Sequence, residues 1–198
     1  MFYYLNRLQV AMEQVQLTSF LASIALRLYL IPVMWGAANT KWDPFNPDSS
    51  LQNTIAWFAH PEWGLGLPFP TLLAYLTWGT EYIGAILLAL GLGVRWVCLP
   101  LMITMLVAAF LVHWDNGWLA IAAPNEQLAM AKSLLAEHGN YDWLTATGSF
   151  VILNNGIEFA MTYFIMLLAL FFLGGGHYFS IDYYIKRYIE QRRYYYVD

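Results

Sequence analysis

The sequence predicts an all-α membrane protein, a bundle of four transmembrane helices with two structured outer loops and interfacial segments at both termini. Three observations carry this expectation. The 198 residues are 60% hydrophobic and 11% charged, against about 45–50% and about 25% in soluble domains. Four apolar runs approach the roughly 20 residues needed to cross a hydrocarbon core. Nine Trp and 14 Tyr suit the aromatic belts of the two membrane interfaces.

The spans are read at residues 17–35, 70–90, 96–112 and 157–173, within one domain covering 1–198. The first run holds Arg27 and Pro32 and no small-x-small cleavage pattern follows it, so it is expected to stay as a span and not to be removed as a signal. The lone Cys98 excludes an internal disulfide and a Cys-x-x-Cys redox pair. A net charge of −4, with the acids mostly in loops, sets nucleic acid aside.

Lys and Arg in the short flanks set the orientation. Lys186, Arg187, Arg192 and Arg193 follow the fourth span, and Arg95 lies in the tight connection between the second and third. The long connections hold Lys41 and Lys132 among several acids. Both termini are therefore expected on the cytoplasmic side, with loops 37–69 and 114–156 facing outward.

Trp57, Phe58, Pro61, Trp63, Gly64, Gly66, Pro68 and Pro70 predict a compact interfacial cap in the first loop. In the second, Asn125 is read as the N-cap of a short helix, with Leu128, Ala131 and Leu135 on one face and Gly139 at its end. Tyr141-Asp142-Trp143 and Asn154-Asn155-Gly156 lead into the fourth span. Residues Phe2 to Gln16 and Tyr183 to Tyr196 mix aromatic, apolar and basic side chains and are expected to lie along the inner interface.

Arg27 and Glu81 fall near the centres of the first two runs. A charge there costs about 2.5–3.5 kcal/mol on insertion scales, so such residues pair and mark sites. One reading is a buried proton or anion site in which Arg27 sets the acidity of Glu81. The other is an ion pair that fixes helix register. His113 at the end of the third span and Glu158 at the start of the fourth are read either as proton-handling groups or as a snorkelling histidine and a carboxylate at a helix N-terminus. Lys41, Asp115 and His60 are placed to extend this polar line outward.

Thr77, Thr80, Gly84 and Ala85 surround Glu81 in sequence and predict that it faces the bundle, because small residues allow close helix approach. Trp78 and Tyr82 either form a pocket for a ring-shaped ligand or fill the core. His60, His113 and His138, with Met102 and Met105 as soft ligands, would suit copper. The chain has no His-x-x-x-His or Cys-x-x-Cys spacing, and spacing alone assigns no metal site.

Arg27 with Gly36 and Lys41, then Thr80-Glu81-Tyr82-Ile83-Gly84 running into Leu87-Leu88-Ala89-Leu90-Gly91-Leu92-Gly93-Val94-Arg95, resembles the DoxX family of four-helix membrane proteins. The ending Gly174-Gly175-Gly176-His177-Tyr178-Phe179-Ser180-Ile181-Asp182 is similar to that family's Gly-rich turn and Ser-x-Asp. His113-Trp114-Asp115-Asn116-Gly117-Trp118 and His138 to Trp143 are most similar to the HvfX-like branch, associated with maturation of copper-binding modified peptides in bacteria.

The resemblance implies a bacterial inner-membrane protein. Family members are linked to thiosulfate oxidation with quinone reduction or to thiol redox homeostasis with partner proteins. The absence of paired cysteines departs from a thiol-active pattern. Two expectations follow. The first is a redox partner that passes electrons to quinone, with Arg27, Glu81, His113 and Glu158 at the site and Lys41, Trp78 and Tyr82 binding the cofactor. The second is a non-enzymatic anchor, assembly or export component that engages a protein or modified peptide through its outer loops.

Overall fold

The computed structural model describes residues 7, 19–121, 126–151, 153 and 155–195. The amphipathic reading of Phe2 to Gln16, Arg7 apart, and the roles given to Asn125 and Asn154 lie outside the described residues. All regular elements among the described residues are helical. They are α1 (Ser19–Lys41), α2 (Gln52–Ala59), α3 (Pro70–Leu90), α4 (Val94–Val107), α5 (Glu126–His138), α6 (Tyr141–Leu144), α7 (Ile157–Leu173) and α8 (Ile181–Tyr195). A π-helical turn, Ala108–Val112, continues α4, and a 3-10 turn follows at Trp114–Asn116.

Three helices are long and apolar enough to cross a membrane: Phe20–Lys41, Pro70–Leu90 and Val94–Val112. The fourth expected span coincides with α7, an apolar helix of 17 residues. Its length of about 26 Å is a little under the roughly 30 Å of a hydrocarbon core. The first span differs from the expected one at its C-terminal end, where α1 continues past Trp35 to Lys41. The added turn carries two alanines, Ala37 and Ala38, the best intrinsic helix former, and Ala38 is fully buried. The first connecting loop therefore starts at residue 42.

The chain divides into two compact units, Met1–Thr104 with Tyr163–Asp198, and Met105–Thr162. In the first, α1 packs along α3. The buried side chains of α1 are Ser23, Arg27, Leu30, Met34 and Ala38, a seam at spacings of three and four that keeps one helix face on its partner. Ala74, Glu81, Gly84, Ala85 and Leu88 form the matching seam of α3. Both expected intramembrane charges thus lie inside the helix contact, as the small residues around Glu81 predict.

The α3–α4 connection is a tight hairpin. Gly91 at φ 64° caps α3, with Gly91 N–H donating to the Leu88 carbonyl at 3.3 Å and Leu92 N–H to that of Leu87 at 3.0 Å. This paired arrangement closes a helix and requires a left-handed residue at the first position beyond it. Further along, a Cβ on Gly84 would stand 3.0 Å from the Leu101 methyls, so glycine there lets α3 and α4 approach closely.

The first loop forms the expected compact cap. Leu51, Phe58 and Ala74 make a small core, against which Trp42, Ile55, Leu67 and Trp78 pack. The return segment is held by Leu65 N–H to the Trp57 carbonyl at 3.0 Å and Leu67 N–H to the Phe58 carbonyl at 2.7 Å. Gly64 sits at the crossing, where a Cβ would lie 1.9 Å from the Trp57 carbonyl oxygen. That contact is with backbone and cannot be relieved by a rotamer change.

In the second unit, residues 117–120 run beside the N-terminal end of α7. Ile157 N–H donates to the Gly117 carbonyl and Glu158 N–H to that of Trp118, both at 3.0 Å. These bonds satisfy helix-terminal donors that otherwise lack partners. The short helix expected in the second loop is α5, with Leu128 buried and Gly139 N–H closing on the Leu135 carbonyl at 3.0 Å.

Gly64→Ala is expected to lower stability by about 1–3 kcal/mol, the usual range for overpacking, measured as a lower midpoint of thermal unfolding in detergent. An unchanged midpoint would contradict the cap geometry.

Candidate functional site

Glu81, in the middle of α3, is 2% exposed. Its partner is Lys41 at the last position of α1, whose Nζ lies 2.7 Å from Oε2 and 2.9 Å from Oε1. The Lys41 stem folds back along its own helix, and Nζ also donates to the Ala37 carbonyl at 3.1 Å. All three ammonium protons are thereby used. Lys41 keeps 22% side-chain exposure while Glu81 keeps 3%, so the acid is the buried member of the pair.

Four aromatic rings run beside this ion pair. Trp35 stacks on Tyr82 with centroids 4.8 Å apart, Tyr82 stacks on Trp78 at 5.2 Å, and Trp78 meets Trp42 at 4.5 Å. The Trp78 indole N–H donates to the Trp42 carbonyl at 2.8 Å, which locks the end of the row. Helix spacing explains the arrangement: Trp35 and Trp42 lie seven residues apart on one chain segment and Trp78 and Tyr82 four apart on the other, so each pair shares a face. The row joins the cap core to the α1–α3 seam through Trp42 and Trp78.

Arg27 does not pair with Glu81, which departs from both readings of the two central charges: Glu81 is held by Lys41. Its guanidinium is 5% exposed and donates to four backbone carbonyls: Leu88 at 2.7 Å, Ala89 at 3.0 Å, Gly175 at 2.7 Å and Phe179 at 2.9 Å. Leu88 lies seven residues beyond Glu81, about 10 Å along α3. Arg27 is therefore at the hairpin end of the seam and not at the midpoint of a shared site. The physical reason is donor number, since one carboxylate cannot satisfy the five N–H groups of a buried guanidinium, whereas the C-terminal carbonyls of α3 and those of the Gly-rich turn each have a lone pair to offer.

The same corner gathers residues that the sequence marks only as a motif. Ser23 Oγ donates to the Gly174 carbonyl, Ser180 Oγ to the Gly91 carbonyl at 2.8 Å, and the backbone N–H of Asp182 to the same Gly91 carbonyl at 3.1 Å. The Asp182 carboxylate accepts the N–H groups of Gly93 at 2.7 Å and Val94 at 3.0 Å, and its charge acts on Arg27. A Cβ on Gly91 would meet Arg27 Nη2 at 2.7 Å. Ser-x-Asp is thus a clasp on the α3–α4 hairpin, and Ser23 and Asp182 belong to it although neither stands out in the sequence as a charge within an apolar run.

His113 and Glu158 belong to the second unit, and Arg27, Lys41 and Glu81 to the first. His113 follows the π-helical turn, with its N–H on the Ala108 carbonyl at 3.0 Å and a buried Nδ1 that has no hydrogen-bond partner among the described residues. Glu158 accepts the Ala120 N–H at 3.2 Å, which fastens the 117–120 segment to the start of α7. That contact favours the helix-terminus reading of Glu158. His60 stacks on Trp63 at 4.4 Å and accepts the Glu62 N–H at 3.2 Å, Asp115 is exposed, and His138 lies 3.6 Å from Glu137 on an exposed surface. Among the described residues no group of three or more His, Cys, Asp and Glu side chains comes together.

Arg27→Lys keeps the charge but cannot reach four carbonyls, since an ammonium has three donors on one atom. It is expected to cost about 2–4 kcal/mol, given about 1.5–3 kcal/mol for hydrogen bonds to charged groups. Amide hydrogen exchange at residues 174–182 should quicken at the same time. Exchange equal to that of the unaltered protein would show that Arg27 does not hold the turn.

Neither a comparison with curated proteins nor one with solved structures returns a match. The DoxX family model matches residues 22–114, a stretch that holds most of α1, the cap, α3, α4, Arg27, Lys41, Glu81 and the row of rings. Over residues 22–114 the chain is therefore similar to the DoxX family.

Proposed function

We propose that the chain is a redox partner of the bacterial inner membrane that passes electrons from a peptide-modifying or thiol-oxidising enzyme to quinone, with Lys41 and Glu81 as its proton-handling site. The observation that carries this reading is the Lys41–Glu81 pair, its carboxylate buried, in the same helix seam as the stacked rings of Trp35, Tyr82 and Trp78. In this reading residues 1–198 form a single domain in which α7 is a fourth span, both termini face the cytoplasm, and the cap and the 114–156 segment face outward. The order of the His113–Trp118 and His138–Trp143 motifs favours the HvfX-like role in maturation of a copper-binding peptide.

The residues present fit a quinone. Trp35, Tyr82 and Trp78 are half-buried and already stack on one another, and a quinone ring would join the end of that row by the offset stacking that aromatic pairs favour. Glu81 is the proton-handling group because Lys41 takes two of the roughly four lone-pair positions of a carboxylate, which leaves room for a hydroxyl or a proton. Lys41 holds the carboxylate in place and offsets its charge. When bound, a quinone would supply the two-electron acceptor chemistry that the lone Cys98 cannot. Cys98 itself is fully buried. The copper belongs to the peptide in this proposal, since the three candidate histidines have separate surroundings.

Glu81→Gln is expected to reduce quinone-linked turnover by about 100-fold or more, the lower range for loss of acid–base catalysis. It should also destabilise the protein by ~3 kcal/mol by stranding the Lys41 charge. The double change Lys41→Gln with Glu81→Gln removes both charges and should recover most of the stability without the turnover. If the double variant turns over normally, the pair fixes helix register and nothing more.

A second reading is favoured by a separate observation. Trp114, Trp118 and Trp143 are 56%, 58% and 78% exposed, and indole rings are enriched at binding surfaces. They would suit an anchor or assembly role toward a protein or modified peptide. Co-purification of a partner that is lost in Trp114→Ala with Trp118→Ala, with no quinone in mass spectra of the native preparation, would select this reading.

A further inference from the structure

We infer that α8 is an in-plane helix that binds the surface of an anionic lipid leaflet, at the end of the bundle where the α3–α4 hairpin turns. This inference stands apart from the redox reading. Ile181, Tyr184, Ile185, Tyr188 and Ile189 recur at spacings of three and one, forming one stripe along the helix, and each is between 38% and 59% exposed. A stripe of this kind on a helix that also carries Lys186, Arg187, Arg192 and Arg193 is the pattern of a segment lying in the interface. With 15 residues and six charged side chains, α8 is too short and too polar to cross the bilayer.

The clasp fixes where the stripe begins. Asp182 in the first turn of α8 holds the N–H groups of Gly93 and Val94, so α8 starts at the ends of α3 and α4, both among the helices that are long enough to span. Its first apolar side chain is therefore at the membrane face and not in bulk water. At the same corner Trp96 is 78% exposed, as expected of an interfacial ring.

Charge complementarity identifies the leaflet surface. The helix has four basic and two acidic residues on a chain of net charge −4. One acid, Asp182, is used by hairpin amides, and the other, Glu190, stands 3.8 Å from Lys186. Arg187 and Arg193 are exposed, and Arg192 lies 5.0 Å above the Tyr188 ring, where its stem covers apolar surface and its head reaches outward. Basic residues beside a membrane helix bind anionic headgroups through such an arrangement.

The test uses the full chain in nanodiscs of phosphatidylcholine alone and of phosphatidylcholine mixed equally with phosphatidylglycerol. Amide exchange across residues 183–193 should slow by about tenfold or more in the anionic discs. The variant with Lys186, Arg187, Arg192 and Arg193 all changed to Gln should lose that difference, with helix content and unfolding midpoint unchanged. Replacing the three arginines by Lys should keep it, because a headgroup surface reads charge. Equal exchange in both discs, or a difference that survives the four-Gln change, would overturn the inference. Protection that requires an added acidic protein and not phosphatidylglycerol would do so as well, by assigning the face to a protein.

Discussion

A guanidinium buried among membrane helices must have its donors satisfied, and the way Arg27 meets that demand organises the first unit. Water is absent from the hydrocarbon region, so the partners have to be protein carbonyls with a lone pair to offer, which helix ends and turns supply. Arg27 finds them on Leu88 and Ala89 at the end of α3 and on Gly175 and Phe179 in the turn after α7. One side chain thus draws three segments that are distant in sequence to a single corner. Gly91 has to be glycine there, both for its left-handed backbone and because the guanidinium occupies the space of a Cβ.

Placing Arg27 at that corner leaves Glu81 to another cation. Lys41 can serve because its long stem lies back along α1 and its ammonium reaches the seam while remaining partly exposed. The result is two polar sites with different chemistry. At the hairpin end, a fixed positive charge is surrounded by carbonyls and has no proton to exchange. At the cap end, a buried carboxylate is held by a partly exposed ammonium in the same helix seam as the row of rings.

Much of this was legible in the residues. Hydropathy and length marked the helices, and α3 and α7 begin and end where the apolar runs do. Trp, Pro and Gly marked the cap, because turns and interfacial rings use those residue types. Burial of Glu81 followed from Thr77, Thr80, Gly84 and Ala85. Its partner was not legible, since an apolar-run criterion stops at Trp35, whereas the helix continues through Ala37 and Ala38 to Lys41. The role of Arg27 was hidden for a different reason: its partners are backbone carbonyls, which carry no side-chain signature. Ser180 and Asp182 were visible as a motif, yet nothing in their spacing reveals the hairpin amides and carbonyl that they hold.

The separation of the two charged sites is the central claim, and a pair of double-mutant cycles on unfolding free energy tests it most directly. The cycle between Lys41 and Glu81 should give a coupling of about 1–3 kcal/mol, as for residues in direct contact, and the cycle between Arg27 and Glu81 should give less than about 0.5 kcal/mol, as for groups roughly 10 Å apart. A strong coupling between Arg27 and Glu81, with little between Lys41 and Glu81, would contradict the account and return the two central charges to a single ion pair.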